Sequence, residues 1–429
     1  MKNKLFKILV CCGLIATVVS CSDNYATITY KINEPVMMSV ADFRASVNVT
    51  TEQHKIENYG KICFYNGYLY IAENGKGIHI VDNRNPEKPA IVGFIELLGN
   101  YDIAIRNNML YADMYIDLVW FNIKNPQSPV AAGCITNVFP SSLPAIDNEY
   151  GCDYSQVQER LQNSDSILVG WKLTKRTDIV ERHHDSRKDY WYGEGGLAYD
   201  AASSRNKSGG SQGVNGSMSS FALYDDYLYS VMNHQMTIIS LAGATPELIT
   251  KNLFVGVNVE TIFSYKDAMF MGTPTGMLIY SVENPTQPVL CSQITHVFGC
   301  DPVIVENDLA YVTIHSGNMC GQTANDLLVI DVSDIYAPQQ LVTYAMTKPK
   351  GLGIDNGTLF VCDDGLKIFD AANPQTIMAN QLAHKKGMAG YDVIPFDNIL
   401  MMIAEDGIYQ YDYSDLNNIK QISKLEFSR

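Results

Sequence analysis

The sequence predicts an all-β fold: a β-propeller of seven four-stranded blades, with a long insertion between blades 2 and 3. Three observations carry that expectation. A short motif ending in an aromatic or large apolar residue recurs at Tyr70, Tyr111, Tyr229, Phe270, Tyr311, Phe360 and Met401, with gaps of 41, 118, 41, 41, 49 and 41 residues. Each unit then reads as four short strands without helical periodicity. The third strand returns as GIHIVD, DLVWFN, MTIIS, GMLIYSV, DLLVIDV, GLKIFD and GIYQYD, alternating or fully apolar as buried strands do.

The chain opens with MKNKLFKILVCCGLIATVVSC, a basic start followed by an apolar run too short for a stable membrane span. Residues 1–20 therefore read as a signal peptide. Val18-Val19-Ser20-Cys21 resembles the lipobox of bacterial lipoproteins, which implies a diacylglycerol on Cys21 and cleavage before it. Losing Lys2, Lys4 and Lys7 with the leader takes the net charge from −15 to −18. A surface of that sign repels phosphate backbones, so nucleic acid is not an expected partner. Residues 21–58 read as a tether plus a strand or short helix packing on the ring.

The propeller occupies 59–429, in units 59–99, 100–140, 216–257, 258–299, 300–349, 350–387 and 388–429. After each third strand comes a turn such as NPEKP, NPQSP or NPTQP, where proline stops one strand before the next begins. One blade has two apolar faces and cannot stand alone, so closure of the ring supplies the stability. The surplus at 141–215 reads as an insertion, with an eighth, degenerate blade as the alternative. Within it SILVGWKL and TDIVER are expected to pair as a hairpin, and SSRNKSGGSQGVNGS reads as a flexible tract.

The stretches GIHIVDNRNP, LLVIDVSD and GLKIFDAANP resemble the LVIVD-repeat proteins, and the order of segments is similar to surface lipoproteins of that family in Bacteroides-like bacteria. The resemblance implies a propeller and an anchor in the cell envelope, as an outer-membrane lipoprotein facing the periplasm or the outside. It implies no reaction.

First strands of propeller blades line a central channel, and their starting ends share a face with the loops joining second and third strands. That mouth is expected to collect Tyr101, Asp102, Glu260, Asp301, His315, Tyr391 and Asp392 as candidate ligand-binding residues. A cation, a sugar or a basic peptide would suit so acidic a mouth. The plainer role for such carboxylates is to accept hydrogen bonds from loop amides. Cys300 and Cys320 fall at one level of the fifth unit, where a disulfide would rigidify its enlarged loop. No nucleophile elbow, zincin motif, phosphate loop or dinucleotide fingerprint occurs, and neither a metal site nor a cofactor is expected. The sequence thus favours a scaffold that binds an envelope protein or glycan. The alternative is a carbohydrate-active hydrolase or lyase using mouth carboxylates such as Glu260 and Asp301.

Overall fold

A computed structural model describes residues 25–52, 54–140, 144–147, 149–152, 157, 165–181, 213–295, 302–315 and 324–427. The leader, Cys21, Asp301, Cys300 and Cys320 lie outside the described residues.

Blade 1 shows how the sequence makes each sheet. Tyr59–Tyr65 turns into Tyr68–Glu73, which pairs in turn with Gly77–Asp82, and that strand with Ala90–Glu96. The first turn is Asn66-Gly67, both residues left-handed. Asn107-Asn108, Asn307-Asp308, Asn356-Gly357 and Asp397-Asn398 repeat that conformation in blades 2, 5, 6 and 7. These are type I′ turns, whose twist matches the strands they join, and asparagine, aspartate and glycine tolerate them best.

First strands of the other blades run at Ile103–Arg106, Phe221–Tyr224, Thr261–Tyr265, Val303–Glu306, Leu352–Asp355 and Gly390–Phe396. Each lies beside the next, and the seventh lies beside the first. The ring closes at seven, without an eighth blade among the described residues. Second strands such as Ala268–Thr273 are buried on both faces, whereas the rim strand Val289–Thr295 alternates between exposed and half-buried. In blade 3 the second and third strands run on as Tyr227–Ser240, which pairs with Phe221–Tyr224 through its first half and with Glu247–Val259 through its second.

The four core strands of blades 1 and 7 each come from consecutive chain, and among the described residues no strand is shared between these two blades. Packing and amides join them instead. Ile394, Met401 and Ile408 pack on Ile62, Leu69 and Val81. Buried Asn83 and Gln410 exchange two hydrogen bonds, of 2.9 and 2.6 Å, and Gln410 Nε2 and Ser423 Oγ both donate to the Pro86 carbonyl. Similar clips recur elsewhere: Tyr229 donates to the Pro285 carbonyl and Tyr344 to that of Pro374, each at 2.7 Å.

Two segments extend blade 1 to six strands, Asn48–Thr50 at its rim and Val214–Asn215 at the channel. Outside the ring, Tyr25–Ser39 pairs along its length with Ser166–Glu181. The expected hairpin between SILVGWKL and TDIVER is therefore corrected: both belong to one uninterrupted strand. Thr174, Lys175 and Arg176 between them include no turn former, and the partner comes from the N-terminal segment. The arm is rooted where Ile167 and Phe43, on the short helix Val40–Ala45, pack beside Met114 and Tyr115.

Candidate functional site

The channel is occupied by the chain itself. Coming out of the insertion, Gly213–Gly216 runs antiparallel to the first strand of blade 1, with Val214 opposite Phe64 and Asn215 opposite Cys63. Gly213 N donates to the Ile105 carbonyl at 2.7 Å and Gly216 N to that of Ile62 at 2.9 Å. Asn215 Nδ2 reaches the Ile103 carbonyl of blade 2 at 3.0 Å. Since Phe64 lies near the hairpin end and Ile62 nearer the mouth, the segment threads the ring from the hairpin end upward. Glycine is needed for so close a fit. A Cβ on Gly216 would stand 2.0 Å from Asp392 Oδ2, and one on Gly213 would stand 2.5 Å from Cys63 Sγ.

At the mouth the segment turns through Ser217–Ser220 and is latched by two carboxylates. Asp392 accepts from Ser217 N at 2.9 Å, Ser217 Oγ at 2.7 Å, Met218 N at 3.2 Å and Val393 N at 2.9 Å. Asp102 accepts from Ser219 Oγ at 2.7 Å, Ser220 Oγ at 2.9 Å, Phe221 N at 3.1 Å and the Ser220 amide. Ser217 Oγ in turn accepts from Leu352 N at 2.7 Å, which ties blade 6 into the same knot. A third carboxylate braces it: Asp113 accepts from Tyr101 N, Asp102 N and Asn100 Nδ2 within 2.9 Å.

All three are buried, at 2% exposure or less. Burial pushes Asp113 and Asp392 up to about 7 and raises Asp102, while the ammonium of buried Lys61 pulls Asp102 and Asp392 back toward ionisation. The arrangement suits retention of a polar turn at a buried channel mouth. Asp102 and Asp392 thus do here what the plainer sequence reading gave to mouth carboxylates, accepting amides and hydroxyls of their own chain.

The other candidates spread around the mouth. Tyr101 and Tyr391 are half-buried on either side of blade 1. The Tyr391 ring meets Tyr59 edge-on at 5.5 Å and has Lys350 Nζ 5.9 Å from its centroid. Glu260 is half-buried on blade 4 and His315 buried on blade 5. The loop acids are engaged as well. Asp117 holds Arg44 at 2.6 Å, Asp363 holds Lys367 at 2.6 Å, and Asp406 holds Lys424 at 2.9 Å. Burial pushes Glu73 upward, yet bonds from His79 and the Asn58 and Glu57 amides outweigh it and hold the carboxyl below its usual range. Sequence reasoning missed Ser217, Ser220 and Lys61. Within GGSQGVNGSMSS a channel-filling turn and a solvated linker share one composition.

Residues 60–96, within blade 1, match the LVIVD repeat. No curated protein matches the chain. Among solved structures, the computationally designed Ika8 protein is 10% identical with a TM-score of 0.49, covering 88% of this chain and 89% of its own. Hsv2 of Kluyveromyces lactis is 9% identical with a TM-score of 0.47, covering 86% and 100%. BamB from Moraxella catarrhalis is 8% identical with a TM-score of 0.45, covering 91% of each. These similarities are distant and assign no ligand.

Proposed function

We propose that the chain is a lipid-anchored scaffold of the cell envelope, an outer-membrane lipoprotein whose rigid propeller binds a protein or glycan partner and catalyses nothing. The observation that carries this reading is the latch. Asp102 and Asp392, two buried carboxylates at the channel mouth, are spent on Ser217–Phe221, so the place where a ring of loops most readily converges on a substrate is given to structure. What remains for recognition is the loop-bearing outer surface of a stiff support.

The leader supports the anchor, and so does the arm. Tyr25 begins four residues after Cys21, and a strand of 15 residues spans about 50 Å. A lipid on Cys21 would therefore sit beyond the arm's far end, with the propeller held away from the bilayer.

Two measurements test the reading. Labelling cells with a palmitate analogue should mark the wild-type chain and leave Cys21→Ala unmarked and released from membranes; equal labelling of both would remove the anchor. Cross-linked capture from envelope extract, run beside a glycan array, should return one saturable partner. Turnover of a glycan that Glu260→Gln abolishes would instead establish catalysis.

A further inference from the structure

The threaded segment leaves part of the channel empty. Gly213–Asn215 lies against blades 1 and 2, and across from it a cavity of about 160 Å³ extends toward the first strands of blades 4 to 7. Its walls are mostly apolar, with Val214, Phe263, Ile304, Leu352, Val393 and Pro395, and Asn215 and Ser217 add polar groups on the side of the threaded segment. The latch at Ser217 closes its upper end. Toward the hairpin end its lining residues Tyr265, Glu306 and Ile354 are only half-buried, so that end meets solvent.

A cavity of this size takes a benzene-sized group, and away from Asn215, Ser217 and the rim its walls offer water few polar partners. At its rim stands a carboxylate. Glu306 accepts from Asn356 N at 3.0 Å and Gly357 N at 2.7 Å, one amide to each oxygen, and each oxygen keeps a lone pair for another donor. The neighbouring cation Lys266 is occupied by Asp308 at 2.5 Å. The site therefore combines an apolar interior with an acidic lip.

We propose that this cavity binds a compact apolar group bearing a positive charge, of the arylalkylammonium kind, entering from the hairpin end. The apolar part lies on Phe263, Ile304 and Leu352, and the ammonium donates to Glu306. A free amine and an N-terminal phenylalanine of a peptide share this chemistry.

The test is calorimetric titration of the whole protein with phenethylamine, phenethyl alcohol, phenylacetate and a tripeptide with a free N-terminal phenylalanine. The amine should saturate and bind about tenfold tighter than the alcohol, with phenylacetate weakest. Glu306→Gln, a change at the rim, should bring the amine to the level of the alcohol while leaving the alcohol unchanged. Ile304→Trp, which fills the cavity, should abolish binding of both. If that variant misfolds, displacement of phenethylamine by toluene reads occupancy of the apolar interior instead. Whichever of free amine and tripeptide binds tighter identifies the source. Absence of saturation at millimolar amine, equal affinity for amine and phenylacetate, or no response to Glu306→Gln would each overturn the proposal.

Discussion

Asp392 shows how one side chain couples distant parts of the chain. Its carboxylate lies on blade 7, yet its donors are mostly on the segment that precedes blade 3. Gly216 passes so close beneath it that Gly216→Ala should cost roughly 1–3 kcal/mol through overpacking, read as a lower denaturant midpoint at unchanged slope. The buried carboxyls also set a pH dependence. Asp113 and Asp392, pushed up to about 7 by burial, keep protons in the folded chain that unfolded aspartates release near 3.9. Between about pH 4 and 7 the folded state binds more protons, so stability falls as pH rises through that window. Melting temperature should decline from pH 5 to pH 7.5, and Asp392→Asn should make the decline shallower. Asp102 and Asp392 were legible at their level of the channel because each begins a repeating first strand. Their partners Ser217 and Ser220 were not, since hydroxyls in a glycine-rich tract look the same packed or solvated.

At the scale of elements, the blades were the legible part. A 41-residue period, proline-bearing turns and Asn, Asp or Gly pairs before six of the seven second strands are local signals, and local signals survive in one sequence. The arm was not legible as paired. Tyr25–Ser39 finds its partner in Ser166–Glu181, a pairing that only the folded ring brings about. Ring closure joins apolar packing to Asn83 and Gln410, whose amide hydrogens go to each other, to Met401 Sδ and to the Pro86 carbonyl. Replacing one of them, as in Gln410→Leu, should strand the other buried amide and cost about 1–3 kcal/mol. The double variant Asn83→Leu with Gln410→Leu should recover part of that loss, giving a favourable coupling in a double-mutant cycle. Additive losses would mean that the two amides do not act as a pair.

For the molecule as a whole, the decisive feature is a ring closed around its own chain. A segment between blades 2 and 3 is bonded to blades 1, 2, 6 and 7, so the latch joins the middle of the sequence to its end. Contacts of such sequence separation form late and reward only the complete ring. The molecule should accordingly unfold as one unit, with tyrosine fluorescence and far-UV signals giving coincident transitions. The latch of Asp102 and Asp392 on Ser217–Phe221 is the observation on which the proposed scaffold role rests. Native Cys63 stands directly opposite Asn215, on the strand that the threaded segment follows. The most direct measurement is therefore the Asn215→Cys variant under mild oxidation, read by mass spectrometry of its peptides. Threading predicts one dominant 63–215 disulfide that forms in the folded protein and not in denaturant; a Cys63 thiol that stays free in the folded, oxidised variant would contradict it.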